Sequence, residues 1–149
     1  MNLPVSMHAV VIDRNNGFAL KDAQVPLPAV GEQDVLVRVD AAAINPADQR
    51  LLARARENPA ISILGFDACG TVVQTGAAVQ HIAVGDAVYY AGDVSRAGCF
   101  AQYQAVHADL VGIKPARLSA AEAAAMPLTA LTAWELLHEH FCLERGRLL

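Results

Sequence analysis

Residues 34–73 read DVLVRVDAAAINPADQRLLARARENPAISILGFDACGTVV, and this stretch decides the fold because it places a polar segment between two apolar ones. In residues 34–41, valine alternates with charged residues, which is the period of a strand with one buried face. The apolar residues 61–73 predict a second strand, with Gly65 and Gly70 where the backbone turns or passes close to a neighbour. The polar segment 44–50 is predicted to be a loop whose Asn45 and Asp48 face a cleft.

The rest of the first hundred residues has the short strands and glycine turns that are typical of an all-β domain. Residues 8–12 and 18–21 flank the dipeptide Asn16-Gly17, which predicts a β-hairpin because these residues tolerate positive φ. Further strands are predicted at 87–90 and 99–106, with glycine turns at 75–77 and 84–86. Seven or so short strands at this spacing favour a closed or nearly closed antiparallel barrel.

Three helices are predicted around and after these strands. Residues 51–57 are rich in helix formers and stop before Pro59, because the residue preceding a proline avoids the α region. Ser119 and Glu122 have capping-box spacing ahead of an alanine run, which predicts a short helix ended by Pro127. Residues 129–141 carry large apolar side chains at helical spacing, so this helix is expected to pack on a core.

Composition limits the classes of protein to which the chain can belong. Its 149 residues are 54% hydrophobic and 17% charged, which predicts one compact globular core. The net charge of -4 disfavours nucleic acid or an anionic membrane as a partner, and no stretch has the apolar length of a membrane span. The basic cluster Arg50, Arg54 and Arg56 is interpreted as a solvated face, with an anion site as the alternative.

The three cysteines, Cys69, Cys99 and Cys142, are too few and too widely spaced for a disulfide framework. A reducing cytoplasmic location fits this usage. Cys69 and Cys99 lie in strand patterns, so they are predicted to be small core residues instead of nucleophiles.

Four motifs, in order and at matching spacing, carry a family resemblance that covers almost the whole chain: NPAD (45–48), LGFDACGTV (64–72), VGDAV (84–88) and PLTALTA (127–133). The chain resembles the N-terminal catalytic domain of the medium-chain dehydrogenase/reductase superfamily. The branch it resembles contains the zinc-independent quinone oxidoreductases and the zinc-type alcohol dehydrogenase-like proteins.

The resemblance implies a fold and a domain division. The fold is expected to be mainly β with short helices: a GroES-like antiparallel β-barrel followed by two C-terminal helices. Residues 1–127 would form the catalytic domain, and residues 128–149 the linker helix and a truncated start of a Rossmann nucleotide-binding domain. Residues 144–149 are expected to begin a strand, but no Gly-x-Gly-x-x-Gly occurs in the sequence, so the nucleotide-binding domain is predicted to be absent.

The resemblance also implies a reaction and its residues. A complete enzyme of this kind would use NADP(H) and transfer hydride to a quinone, enone or carbonyl acceptor. Asn45 would be an amide donor near the nicotinamide, Asp48 would organise its loop, and Thr129 and Thr132 would lie at the domain junction. The Thr129 hydroxyl would reach the nicotinamide carboxamide or a substrate carbonyl. As the alternative, Asn45 and Asp48 only cap and turn their loop, and Thr129 only caps its helix.

Zinc is not expected, because the metal-dependent relatives place a cysteine and a histidine where this chain has Asn45 and Phe66. Asp67 keeps the acidic position of that motif. Many quinone reductase relatives have an aromatic residue just after the loop aspartate, whereas this chain has Gln49. A stacking partner for a flat quinone is therefore missing at that position, which leaves a smaller enone or aldehyde acceptor open.

Two expectations concern the chain by itself. It needs no cofactor of its own, is expected to lack reductase activity, and should bind NADPH weakly if at all; low-micromolar affinity in a titration would contradict this. The rival hypothesis is a non-catalytic GroES-like barrel that acts as a binding or assembly module through the helix at 129–141. Both hypotheses predict self-association through that helix if its apolar face is uncovered.

Overall fold

The structure, a computed structural model, describes residues 3–143 and residue 146. It begins with a hairpin of two antiparallel strands, β1 (Ser6–Asp13) and β2 (Ala19–Pro26). Gly17 and Phe18, at the end of the connecting turn, have φ angles of 63° and 65°. The predicted hairpin is confirmed, and both of its strands are longer than expected.

Five strands form the main sheet: β3 (Asp34–Ala43), β4 (Asp67–Thr75), β5 (Ala87–Ala91), β6 (Tyr103–His107) and β7 (Val111–Ile113). Their order is β6-β3-β4-β5-β7, and every pair is antiparallel. β6 and β7 are the two edges, yet the single 3-10 turn Ala108–Leu110 connects them. The two edges therefore lie close together, and the sheet curls into a nearly closed barrel.

The interior of this barrel is filled by valines from all five strands. They belong to one buried cluster: Val35, Val37, Val72, Val88, Val106 and Val111. The hairpin attaches to the barrel through isolated bridges, Ala9 to Ala101 and Val11 to Ile63. The predicted mainly β class, an antiparallel barrel with short helices, is confirmed.

The first helix, α1 (Pro46–Arg54), begins earlier than the sequence predicted. Residues 44–50 were expected to be a loop and residues 51–57 a helix, but Asn45 is already the N-cap, with extended φ and ψ of -124° and 156°. Pro46 takes the first helical position, where its fixed φ fits and its missing N–H is not needed. The loop assignment was wrong because Asn-Pro-x-Asp starts a helix here, and Asp48 lies inside it.

The helix after Ser119 is confirmed as α2 (Ala120–Ala124), with both capping-box bonds present between Ser119 and Glu122. The prediction that Pro127 ends this helix is only partly right. α2 ends before it, and Pro127 starts α3 (Pro127–Trp134), which continues as the π-helix Glu135–His140. Among the described residues, none of the helices has the length and apolarity to span a membrane.

The C-terminal helical segment, which consists of α3 and the π-helix that follows it, does not pack on a core as expected. Leu131, Trp134 and Phe141 are 52%, 61% and 58% exposed. Helical spacing reveals an apolar face, but it does not tell whether another element covers that face. The strand predicted at residues 144–149 lies outside the described residues, except for Gly146.

The two cysteines predicted to be core residues are buried. Cys69 packs against α2, and Cys99 lies in the barrel core. Burial raises the pKa of the Cys99 thiol to about 12, so the thiolate that a nucleophile needs is suppressed. Cys142 is exposed.

Candidate functional site

The backbone of Asn45 is held by Asp48. The Asn45 N–H donates to one carboxylate oxygen of Asp48 at 2.7 Å, and the N–H of Gly65 donates to the other at 3.0 Å. Asp48 is buried, and the φ of Gly65 is 106°. Asp48 therefore ties the start of α1 to the turn before β4.

Asn45 and Asp48 have the paired contacts of a capping box at the start of α1, and the side chain of Asn45 also reaches a partner outside the helix. Its Nδ2 donates to Asp67 Oδ2 at 3.0 Å. The other oxygen of Asp67 accepts the backbone N–H of Leu128, in the first turn of α3, at 2.9 Å. One carboxylate thus connects the Asn45 amide with the beginning of the C-terminal helical segment.

Asp67 is the first residue of β4 and is fully buried. Burial raises the pKa of its carboxyl, and nearby Asp48 adds to the rise; the bonds from Asn45 and Leu128 oppose it. Burying a carboxylate without a cation is costly unless hydrogen bonds compensate for the lost water. The two donors provide that compensation.

An open groove of about 440 Å³ lies beside this network. Its walls are mostly apolar, formed by Leu20, Ile44, Leu52, Leu64 and Phe100. Asn45, Asp48 and Gln49 supply its polar atoms. A groove of this kind suits a neutral, largely apolar molecule with one oxygen that an amide N–H can reach.

Thr129 and Thr132 are placed differently from Asn45 and Asp48. Thr129 follows Leu128 directly, but it does not line the groove, and its hydroxyl donates to the carbonyl oxygens of Ala125 and Met126 at 3.3 and 3.0 Å. The hydroxyl of Thr132 donates to Leu128 O at 2.9 Å. Thr129 is therefore not an N-cap, since it lies inside α3 and bonds back to the preceding turn. Both hydroxyl oxygens can still accept a hydrogen bond.

The sequence interpretation missed the part that Asp67 plays. In the sequence, Asp67 stands out only as the acidic member of a motif that holds metal in other proteins. The signal available was its position at the first residue of a strand, next to the apolar Phe66, where an aspartate is unusual. Its bonds to residues 22 and 61 positions away appear only in the folded chain.

The described part of the chain contains no group of three or more His, Cys, Asp or Glu side chains arranged to hold a metal ion. The amide of Asn45 and the phenyl ring of Phe66 are poor ligands for zinc. The metal-free assignment stays a prediction.

A nearly closed antiparallel barrel followed by short helices is the architecture of a GroES-like domain. Residues 31–117 match the alcohol dehydrogenase GroES-like domain family. The chain belongs to this family, a part of the medium-chain dehydrogenase/reductase superfamily.

Particular relatives agree with that assignment. The chain is 36% identical over 130 residues to a zinc-type alcohol dehydrogenase-like protein of Staphylococcus aureus strain Mu50, covering 87% of this chain and 38% of the relative. It is 34% identical over 147 residues to the chloroplastic NADPH-dependent alkenal/one oxidoreductase of Arabidopsis thaliana, covering 90% and 38%. The solved quinone oxidoreductase of Coxiella burnetii superposes with a TM-score of 0.78 at 28% identity, covering 89% and 45%. The chain thus spans less than half the length of these proteins, which are oxidoreductases by name.

Proposed function

We propose that this chain is the substrate-side domain of an NADPH-dependent oxidoreductase that transfers hydride to a quinone, enone or carbonyl acceptor without zinc. The groove next to Asn45 carries the proposal. It combines apolar walls with the side-chain amide of Asn45, which donates one N–H to Asp67 and carries a second. An amide N–H is the type of group that stabilises negative charge developing on an acceptor oxygen. NADPH supplies the hydride when it is bound, and a Rossmann domain joined to residues 128–149 would bind it.

The proposal gives each predicted residue its own role. Asn45 offers the oxygen of the acceptor an N–H, and Asp48 holds the backbone of Asn45 in place. Thr129 and Thr132, in α3, lie where a cofactor domain would meet the barrel, and their hydroxyl oxygens can accept a bond from a carboxamide. A cytoplasmic location and a small-molecule substrate complete the proposal.

Binding of a neutral enone to the isolated chain tests the groove. We expect cyclohexenone to shift the NMR resonances of the Asn45 side-chain amide and of Leu52, because both residues line the groove. In Asn45→Ala the affinity should fall several-fold, since a single neutral hydrogen bond contributes about 0.5–1.5 kcal/mol. Asn15→Ala, which removes an exposed amide in the β1–β2 turn, is the matched control and should bind like the wild type. Equal affinities in all three proteins would contradict the proposal.

A second function, a binding or assembly module, is favoured by the exposed apolar face of the C-terminal helical segment. Leu131 and Trp134 line a groove of about 320 Å³ together with Tyr89, Leu110 and Met126. This face would be covered either by a cofactor domain or by another protein surface.

Self-association of the isolated chain is expected because Trp134 is 61% exposed on this face. Sedimentation velocity should show a concentration-dependent dimer. Trp134→Ser should raise the dissociation constant of this dimer at least tenfold, the effect of losing one aromatic residue from the centre of an interface. Val84→Ser is the control, since Val84 is equally exposed, at 62%, in a turn of the barrel. Weakening by Val84→Ser instead of Trp134→Ser would place the contact elsewhere.

A further inference from the structure

Asp67 constrains the Asn45 side chain in a way that a neutral side chain at position 67 would not. An ionised carboxylate only accepts hydrogen bonds, whereas an amide both donates and accepts. Because Asp67 Oδ2 lies 3.0 Å from the Asn45 side chain, the amide has to turn its NH2 group, and not its oxygen, toward Asp67. The orientation of Asn45 is thereby decided: one side-chain N–H is left over, and the carbonyl oxygen faces the backbone N–H of Asp48, its capping-box partner.

The two buried acids act on different parts of Asn45. Asp48 accepts its backbone N–H and so fixes where the residue begins α1. Asp67 accepts its side chain and so fixes which way the amide faces. The bond from Leu128 N to Asp67 Oδ1 links the same carboxylate to α3.

We propose that Asp67 is a positioning residue of the acceptor site: it sets the orientation of the Asn45 amide and couples that orientation to the start of α3. The inference rests on the proposed function, since it assigns the remaining N–H of Asn45 to the acceptor. A purely structural role would need only a side chain that holds α3 against β4.

Asp67→Asn separates the positioning role from the purely structural one. The oxygen of the asparagine can still accept the N–H of Leu128, and its NH2 group then faces Asn45. Asn45 satisfies this new donor by rotating its amide through a half turn, which gives up its side of the capping box with Asp48. Asp67→Asn should therefore keep the fold and α3 in place while it inverts the orientation of the Asn45 amide.

The experiment is NMR spectroscopy of the 15N-labelled 149-residue chain without any acceptor, with the Asn45 NH2 resonances assigned by their loss in Asn45→Ala. In the wild type, we expect these protons to exchange with solvent on the order of tenfold more slowly than those of the exposed Asn15 side chain, because one is bonded to a buried group. In Asp67→Asn, the Asn45 NH2 protons should exchange as fast as those of Asn15, because the rotated amide no longer donates to residue 67, while the Leu128 backbone amide stays protected. Asp48→Asn, the matched control, should shift the Gly65 amide and keep the slow exchange of the Asn45 side chain.

Exchange of the Asn45 NH2 protons that stays slow in Asp67→Asn would overturn the proposal. If that variant does not fold, the exchange measurement on the wild type decides. Wild-type Asn45 NH2 protons that exchange as fast as those of Asn15 would also overturn the proposal. No acceptor is present in these measurements, so a failure to bind cyclohexenone would count against the proposed function and leave this inference standing.

Discussion

Gly70→Ala should lower the free energy of unfolding by about 3 kcal/mol or more, at the upper end of the cost of overpacking a core. A Cβ at position 70 would lie 2.1 Å from the carbonyl oxygen of Arg38 and 2.7 Å from Val37 Cγ1. The first of these atoms belongs to the backbone of β3, so the clash cannot be relieved by a side-chain rotation. β3 and β4 would have to separate at the place where their register is already irregular, between Val39 and Ala41.

Urea denaturation followed by circular dichroism measures this effect. Gly112→Ala is the matched control, because it adds the same methyl group to a strand but meets only the ring of Tyr89, at 3.0 Å. The control should lose about 1 kcal/mol or less, since an aromatic side chain can move aside. Similar losses in the two variants would mean that the β3–β4 contact is more plastic than its geometry indicates.

Arg96→Ala should lower the free energy of unfolding by about 2–3 kcal/mol, the range expected when a largely buried acceptor loses charged hydrogen bonds. The guanidinium of Arg96 donates to both oxygens of Asp34, at 2.8 and 2.6 Å, and so ties the loop before residue 98 to the start of β3. The Asp34 side chain is 10% exposed and that of Arg96 is 34% exposed, so solvent screens the pair only in part.

The cost of Arg96→Ala should also depend on pH. Hydrogen bonding by Arg96 lowers the pKa of Asp34 below its ordinary value of 3.8. A carboxyl with a lowered pKa in the folded state stabilises the protein above its unfolded pKa, and that stabilisation is lost as the pH falls through the lowered value. The difference between wild type and Arg96→Ala should therefore be full at pH 7 and shrink below about pH 3.8.

Thermal or urea unfolding from pH 7 to pH 3 measures that difference. The control is Arg38→Ala, which breaks a more exposed pair with Asp40 at 3.3 Å and should cost at most about 0.5–1 kcal/mol. A cost for Arg96→Ala no larger than for Arg38→Ala, at every pH, would contradict the assigned role of the Asp34–Arg96 pair.

Much of the fold could be predicted because its signals are local. The Asn16-Gly17 turn, the valine alternation of β3 and the Ser119 capping box each depend on residues a few positions apart. The prediction that the backbone turns or passes closely at Gly65 and Gly70 is also confirmed, by the positive φ of Gly65 and the approach of Arg38 to Gly70. The start of α1 was misplaced because an Asn-Pro pair is compatible with both a loop and a helix N-terminus.

The candidate site was predicted less completely than the fold. Asn45 and Asp48 were selected, and they do line one groove. Their roles in binding or catalysis stay predictions, as does the division of the chain at residue 127. Asp67 was passed over because its partners, Asn45 and Leu128, belong to segments far from it along the chain.

By itself, the sequence determined the class of the fold, the places where its strands turn, and the residue types available to a site, because each follows from the backbone preferences and hydrophobic pattern of neighbouring residues. Only the tertiary structure decided that the Asn45 amide faces Asp67, that Asp67 reaches α3, and that the apolar face of α3 is exposed. The physical reason is that burial and hydrogen-bond partners arise from how distant segments pack, and the chain has to fold before a buried carboxylate can find its donors.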